Sequence, residues 1–290
     1  MILVTGASGT VGKEVLKQVA KSGAAKYRAM YRSAAEAAKA PPGVSTVVAD
    51  FAKKETLEPA LGGVSHVYLV CSPLPNLVEL EGNTIEACVE AGVKHVVLNS
   101  ALGAGDYDTS FPAWHRKVED KLRSTRLSWT ILRPNSFHQN TVTYYAGSIR
   151  REGVFYGSLQ DARLSYLDVR DVAAAAAKVL AGKEHTGKIY ELNGPEALTS
   201  SEIAGKIAKH AGRSVKYVDI PMEAQHKSMV ELGMPEWQVT ALLELQQYYV
   251  SGRGGEVDRV LQNLLGQPPI TMDQFLAENA AAFREQAAKA

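Results

Sequence analysis

Short aliphatic and β-branched runs alternate with longer stretches of helical periodicity through the first half of the chain. Residues 2–4 read as a strand and 11–22 as the helix that follows it. Residues 27–31 carry a second strand pattern, and an alanine-rich helical stretch after it is broken by Pro41-Pro42-Gly43. Further strand patterns lie at 45–49, 66–70, 95–98 and 128–132, the last ended by the Arg133-Pro134 step. Helical patterns separate them at 55–61, 76–91 and 112–124, and Gly92 suits a left-handed C-cap. The strand runs are apolar on both faces, as strands covered on both sides should be. Strands joined by helices of this length pair in parallel through right-handed crossovers. The pattern predicts an α/β fold with a Rossmann-type doubly wound parallel sheet.

The pattern changes in the second half. Residues 165–169 look like a short strand with Asp171 as N-cap of an alanine-rich helix, and 188–192 like a last sheet strand. Beyond Pro195 helical patterns dominate, at 200–211, 222–232, 235–250 and 272–288. Thr199-Ser200-Ser201-Glu202 fits a capping-box start. The expected organisation is a Rossmann domain over 1–150, with its further strand at 188–192, and a smaller, mainly helical lobe over 195–290. That lobe is expected to close over the sheet's C-terminal edge.

Composition narrows the classes of function. The formal net charge is +1, with acids and bases mixed along the chain, which argues against a nucleic-acid or membrane surface built on bulk charge. No apolar run approaches membrane-spanning length, and Met1 leads straight into the first strand without a signal-peptide pattern. The two cysteines, Cys71 and Cys88, sit in apolar contexts with no CxxC spacing, so a reduced, cytoplasmic location is expected. The histidines are scattered without HxxxH or HExxH spacing, and no metal is expected.

The candidate chemistry starts at Val4-Thr5-Gly6-Ala7-Ser8-Gly9-Thr10-Val11-Gly12, between the first strand and its helix. Gly6 permits the tight turn out of the strand, Gly9 lets backbone approach a pyrophosphate, and Gly12 lets the helix pack closely on the sheet. Amides along the loop and helix start, at Ser8, Gly9, Thr10 and Val11, can then hold phosphate charge with the helix dipole behind them. The ligand this implies is a dinucleotide. A carboxylate at the end of the second strand would hold the ribose 2′-hydroxyl of NAD. This chain has Tyr31-Arg32-Ser33 there, and Arg32 with Ser33 suits the 2′-phosphate of NADP(H) instead.

With those residues in hand, the chain resembles the atypical short-chain dehydrogenase/reductases, in particular the NmrA-like group. The resemblance covers essentially the whole sequence. Asp50 and Phe51 match that group's adenine-side turn after the third strand, and Cys71-Ser72-Pro73 its turn beside the cofactor ribose. Asn99-Ser100-Ala101 falls where the fold places an active-site serine. The segment from Trp129 to Asn135 is similar to the one that runs under the nicotinamide, and Pro134, Asn135, Ser136 and Phe137 are implied to line that pocket. Gly233-Met234-Pro235-Glu236-Trp237 looks like the bacterial branch of azoreductases, quinone reductases and triphenylmethane-reductase-like proteins.

One departure bears on mechanism. Most members of the wider superfamily carry a tyrosine and a lysine four residues apart on the helix after the fifth strand. Here that helix reads Phe111-Pro112-Ala113-Trp114-His115-Arg116-Lys117. If His115 takes the lysine position, Phe111 takes the tyrosine position; if Lys117 does, Ala113 does. Neither register supplies a phenol.

Three expectations follow. His115 or Lys117 anchors the nicotinamide ribose, with Ser100 near the substrate, and a strongly electron-accepting substrate takes its proton from water or from His115. Alternatively Tyr144 or Tyr145 reaches in from the segment after the sixth strand. In the third case the chain senses NADP(H) without catalysis, as an NmrA-type regulator would. The favoured expectation is an NADPH-dependent reductase of a small quinone, azo or enone acceptor. Its partner is then that small-molecule substrate, with a homodimer left open.

Overall fold

The computed structural model describes residues 1–23, 26–107 and 109–285. Backbone contacts divide the chain into two units, Met1–Pro134 with Val169–Leu192, and Asn135–Asp168 with everything from Asn193 onward.

The first unit runs β1 (Ile2–Val4), α1 (Thr10–Lys21), β2 (Tyr27–Tyr31), α2 (Ala34–Ala37), β3 (Ser45–Val48), α3 (Lys54–Ala60), β4 (His66–Leu69), α4 (Leu77–Glu90), β5 (His95–Asn99), α5 (Ser110–Arg123) and β6 (Ser128–Pro134). The chain then makes α6 (Ala146–Glu152) and β7 (Val154–Gly157) in the second unit. It returns to the first as α7 (Val169–Ala181) and β8 (Lys188–Leu192). The second unit is completed by α8 (Ser200–Ala211), β9 (Lys216–Asp219), α9 (Met222–Glu231), α10 (Glu236–Val250), α11 (Val260–Leu265) and α12 (Met272–Asn279).

Seven strands of the first unit form one parallel sheet in the order β3-β2-β1-β4-β5-β6-β8. The order reverses between β1 and β4, which opens a crevice at the strands' C-terminal ends. One face of the sheet buries Leu3, Val67, Leu69, Val96, Leu98 and Ile131 against Leu57 of α3, Ile85 and Cys88 of α4, and Val118 and Leu122 of α5. α1 and α7 pack against each other in the same unit. The alanines of α7 (Ala173, Ala175, Ala176 and Ala177 are all buried) allow that close approach. This is the doubly wound Rossmann arrangement that the alternating pattern implies.

The structure corrects several boundaries. β6 continues through Arg133 to Pro134, because a proline at a strand's last position forfeits only a terminal amide and its carbonyl still accepts from Leu102, at 3.1 Å. Residues 165–169 are not a strand: they make only the isolated bridges Phe137–Leu167 and, just before them, Leu164–Leu198. α7 begins at Val169, so Asp171 lies in its first turn rather than at its N-cap, where a carboxylate still favours the helix dipole. The unit boundary falls after Pro134, not near residue 150, and the first unit takes back 169–192. In the second unit β7 and β9 pair in parallel, and neither strand stands out in the sequence. Short half-exposed strands lack the aliphatic run that marked the others. The helix expected over 272–288 ends at Asn279 and gives way to a 3₁₀ turn over Ala280–Phe283; residues 286–288 of that expectation lie outside the described residues.

Among the described residues no helix is long and apolar enough to cross a membrane, and no group of three or more His, Cys, Asp or Glu is placed to hold a metal ion. Both cysteines are free thiols.

The capping box at α8 is present as the sequence suggests: Thr199 Oγ1 accepts from the Glu202 amide at 3.1 Å and Glu202 Oε2 accepts from the Thr199 amide at 2.8 Å. Thr199→Ala is expected to lower the unfolding free energy by about 1 kcal/mol, read as a shifted urea midpoint at unchanged slope.

Candidate active site

The loop from β1 to α1 depends on two backbone approaches that exclude side chains. A Cβ at Gly12 would lie 2.1 Å from the Gly6 carbonyl oxygen. Gly6 has φ +57°, and a Cβ there would lie 2.8 Å from Val70 Cγ1. The turn is therefore as tight as the chain permits, and it swings the start of α1 across the crevice between β1 and β4. Thr5 fastens the same place, with Oγ1 donating to the Tyr68 carbonyl and accepting from the Val70 amide at 2.9 Å. On the other side the Ala7 amide donates to the Met30 carbonyl of β2, at 3.4 Å.

The opening of α1 suits an anion. Its N-cap, Gly9, offers no side-chain acceptor, and no acidic residue stands in the first turn. Ser8, Gly9 and Thr10 are exposed while Val11 and Gly12 are buried beneath them. The Gly9 amide, expected to face a phosphate, is instead spent on the Gly6 carbonyl at 2.9 Å, whereas the amides that follow it, at the positive end of a twelve-residue helix, can take phosphate oxygens. Arg32 is exposed where β2 ends. Ser33 caps α2, its Oγ accepting from the Glu36 amide at 3.2 Å, which leaves the hydroxyl proton free to donate. The residues present fit a dinucleotide with an extra phosphate on its adenosine ribose.

The other expected contacts on this unit stand at the same C-terminal edge. Asp50 closes a turn after β3, Oδ1 accepting from the Ala52 amide, and the Phe51 carbonyl accepts from Asn83 of α4 at 3.0 Å. Cys71 is half-buried with Ser72 and Pro73 exposed beside it, and burial pushes the Cys71 thiol up to about 12, so it is no nucleophile. Asn99 ends β5 and accepts from the Tyr68 hydroxyl through Oδ1, at 2.8 Å. Pro134 ends β6.

α5 decides between the two registers. His115 is buried and Lys117 is exposed, two positions and so about 200° around the helix from it. Lys117 therefore cannot share the inward face with His115. That face carries Pro112, His115, Val118, Glu119 and Leu122, with no phenol.

Burial pushes His115 down to about 4, and its Nδ1 has no hydrogen-bond partner. It stays neutral at physiological pH rather than poised to donate a proton. Ser100 is 2% exposed, and its hydroxyl donates to Glu119 Oε1 at 2.5 Å. Glu119 also receives Arg133 through two bonds, Nε to Oε1 at 2.9 Å and Nη2 to Oε2 at 2.6 Å. Ser100 thus belongs to a buried ion-pair network joining α5 to the ends of β5 and β6. Glu119 lies four positions after His115, a spacing that sets it on the same helical face.

The remaining candidates belong to the second unit. Asn135 is a fastener there: Nδ2 donates to Asn193 Oδ1 at 3.1 Å and to the Gly254 carbonyl at 2.8 Å, and Oδ1 accepts from the Ser136 amide. Ser136 Oγ lies 2.9 Å from the Tyr249 hydroxyl. Phe137 bridges Leu167. Tyr144, in a π-helical turn over Thr141–Tyr145, is 54% exposed, whereas Tyr145 stacks on Phe155 at 4.3 Å. Burial pushes the Tyr145 and Tyr249 phenols up to about 12, so neither is an activated acid.

A family model described as the NmrA-like family matches residues 1–276. The chain belongs to the NmrA-like family. Among its relatives, an NAD(P)H azoreductase from Xenophilus azovorans is 35% identical over 289 residues, covering 98% of this chain and 99% of that protein. A (4-alkanoyl-5-oxo-2,5-dihydrofuran-3-yl)methyl phosphate reductase from Streptomyces griseus is 31% identical over 285 residues, covering 98% and 99%. The crystal structure of an NADPH-dependent quinone oxidoreductase from Escherichia coli, complexed with NADPH, superposes with a TM-score of 0.87 at 28% identity, covering 97% of this chain and 99% of that one. The NmrA-like fold and NADP(H) as its cofactor are therefore established.

Two outcomes test the geometry. Gly12→Ala is expected to destabilise the fold by about 1–3 kcal/mol through overpacking and to abolish NADPH binding, read by thermal melts and fluorescence titration. The second concerns His115, whose folded value near 4 lies below the unfolded 6.5. The unfolded chain then binds the extra proton, so stability is full above about pH 6.5 and falls as pH drops toward about 4. His115→Gln is expected to flatten that acid limb, losing less of its melting temperature than the wild type between neutral and mildly acidic pH.

Proposed function

We propose that this protein is an NADPH-dependent reductase of small conjugated acceptors of the quinone, azo or enone type. The observation that carries the reading is an uncapped, acid-free opening of α1, with Arg32 where β2 ends, on a sheet whose α5 presents no phenol from its inward face. NADPH supplies the hydride when bound. The chain's own part is to hold and orient it: the first amides of α1 take the diphosphate, Arg32 and Ser33 the 2′-phosphate, Asp50 and Phe51 the adenine side, and Cys71 to Pro73 the ribose.

Without a positioned acid, the acceptor must be one whose reduced form can hold negative charge until water protonates it. Quinones and conjugated carbonyl or azo systems do this through delocalisation. The names of the relatives, an azoreductase, a dihydrofuranone phosphate reductase and a quinone oxidoreductase, run along that chemical class. They favour turnover over NADP(H) sensing. Free thiols at Cys71 and Cys88 suit the cytoplasm as its place.

The test has two arms. Purified protein is expected to consume NADPH, followed at the reduced-nicotinamide absorbance band, with at least one member of a panel of quinones, azo dyes and enones. No consumption across the panel with NADPH binding intact overturns the reductase reading. Arg32→Ala is expected to weaken NADPH binding about tenfold or more while leaving NADH unchanged. Equal losses for both nucleotides remove Arg32 from the 2′-phosphate.

A further inference from the structure

Between β5 and α5 the chain does not leave the sheet at once. It first runs along the end of β6, the Ser100 amide donating to the Leu132 carbonyl at 2.7 Å and the Leu102 amide to the Pro134 carbonyl at 3.1 Å. Leu102, Gly103 and Ala104 are buried, and the tip at Gly105 and Asp106 is exposed. The Asp106 and Tyr107 amides both donate to the Gly103 carbonyl, at 3.2 and 2.9 Å, and fold that tip back. Residues 100–107 therefore form an ordered ledge on the C-terminal edge of β5 and β6.

Gly105 shows what the ledge rests on. A Cβ there would lie 2.6 Å from Arg133 Nη1 and 3.3 Å from its Cζ, so the backbone is seated directly on the guanidinium. The guanidinium is not free to step aside. Glu119 holds it through Nε and Nη2, and Glu191 through Nη1 at 3.3 Å. Glu119 also takes the Ser100 hydroxyl at the start of the ledge, and Arg116 of α5 donates to the Tyr107 carbonyl at its end, at 2.6 Å. One carboxylate thus fixes the first residue of the ledge directly and its tip through Arg133. The Arg133 side chain is 11% exposed and that of Glu119 1%. Apolar residues of similar volume would fill such a space at least as stably, so stability alone does not account for the pair.

The location of the ledge follows from how a doubly wound sheet takes a dinucleotide. One mononucleotide half goes to each side of the switch point, outside the carboxyl ends of the strands. Arg32, Asp50 and Phe51 follow β2 and β3, on the β1–β3 side. The nicotinamide half then falls to the β4–β6 side, which carries the ledge.

We propose that Glu119, acting through Arg133 and Ser100, is a positioning residue for hydride transfer: it holds the 100–107 ledge as the wall that orients the nicotinamide end, and it has no part in gripping the adenosine end. The proposal rests on the NADPH-dependent reductase reading. Orientation is what such a wall contributes, and a displacement of about 1 Å can cost about a hundredfold in rate. Gly105 serves the same end, because a side chain there would lift the tip off Arg133.

The experiment compares wild type, Glu119→Gln and Gly105→Ala. NADPH is titrated by the emission of its dihydronicotinamide, which gives both the Kd and the emission of the fully bound form. Turnover is followed with the quinone that the wild type reduces fastest. Both variants are expected to keep a Kd close to that of the wild type, to shift the bound emission toward that of free NADPH, and to lose about tenfold or more in kcat. A merely structural role would lower the melting temperature and the active fraction and leave the emission per bound nucleotide unchanged. Should Glu119→Gln fail to fold, Gly105→Ala decides alone, since it alters only an exposed position and removes neither partner of the ion pair. Wild-type emission and kcat in the folded variants overturn the proposal, as does a loss of NADPH affinity as large as the loss of kcat. A wild type that binds NADPH but reduces no acceptor removes the reductase reading, while the emission comparison still decides whether the ledge holds the nicotinamide. A wild type that binds no NADPH overturns the cofactor site and the proposal together.

Discussion

The contact on which the turn from β1 into α1 depends is the one between Gly12 and the Gly6 carbonyl. No side chain can stand in it. Because the backbone closes there, α1 begins directly above the crevice where the strand order reverses, with its first amides turned toward solvent rather than toward a capping side chain. A helix entering a turn or a residue later would bury its dipole end in the sheet or satisfy it locally. Thr5 reinforces the arrangement by tying the end of β1 to the end of β4, so the walls of the crevice are held by the same residue that precedes the turn.

The first unit places several polar side chains in a region that would be more cheaply filled by hydrocarbon. They fall into two kinds. Glu119, Arg133 and Ser100 satisfy one another, and such a closed network fixes relative positions because breaking one partner strands a buried charge. It pins α5 to the ends of β5 and β6, which keeps the inward face of α5 fixed whatever that face contacts. His115 Nδ1 and Glu81 are left without partners. Burial drives both toward their neutral forms, the histidine by losing its proton and the carboxyl by keeping it. A fully bonded group supplies rigidity. An unbonded ionisable one is held in its neutral form by burial.

Most of the sheet was legible because its strands are continuous aliphatic runs separated by amphipathic helices, a pattern that buried parallel strands impose. The phosphate loop was legible because glycine spacing is dictated by backbone contacts, which leave a trace in sequence. The second unit was less so. β7 and β9 are four residues each and half-exposed, so no periodicity announces them, whereas the strand-like pattern at 165–169 yields only an isolated bridge. Side-chain roles were the least visible. Ser100 reads as a substrate contact by position, yet its hydroxyl is committed to Glu119 nineteen residues on in a helix. Lys117 and His115 are equivalent candidates on paper and are separated only by which side of α5 faces the sheet.

The lack of an acid on α5 constrains the chemistry more than it weakens it. Hydride addition to an isolated carbonyl builds a localised alkoxide, and a phenol beside a lysine is the usual means of quenching it. No residue on the inward face of α5 offers that: His115 is neutral, Glu119 is bound to Arg133, and the remainder are apolar or proline. The buried phenols of the second unit are raised by desolvation, which makes them poorer acids still. Such a scaffold accelerates reactions in which the acceptor itself spreads the incoming charge, so that orientation of the cofactor is the protein's main contribution. A quinone, an azo bond flanked by aromatic rings or an enone meets that requirement, and a simple ketone does not.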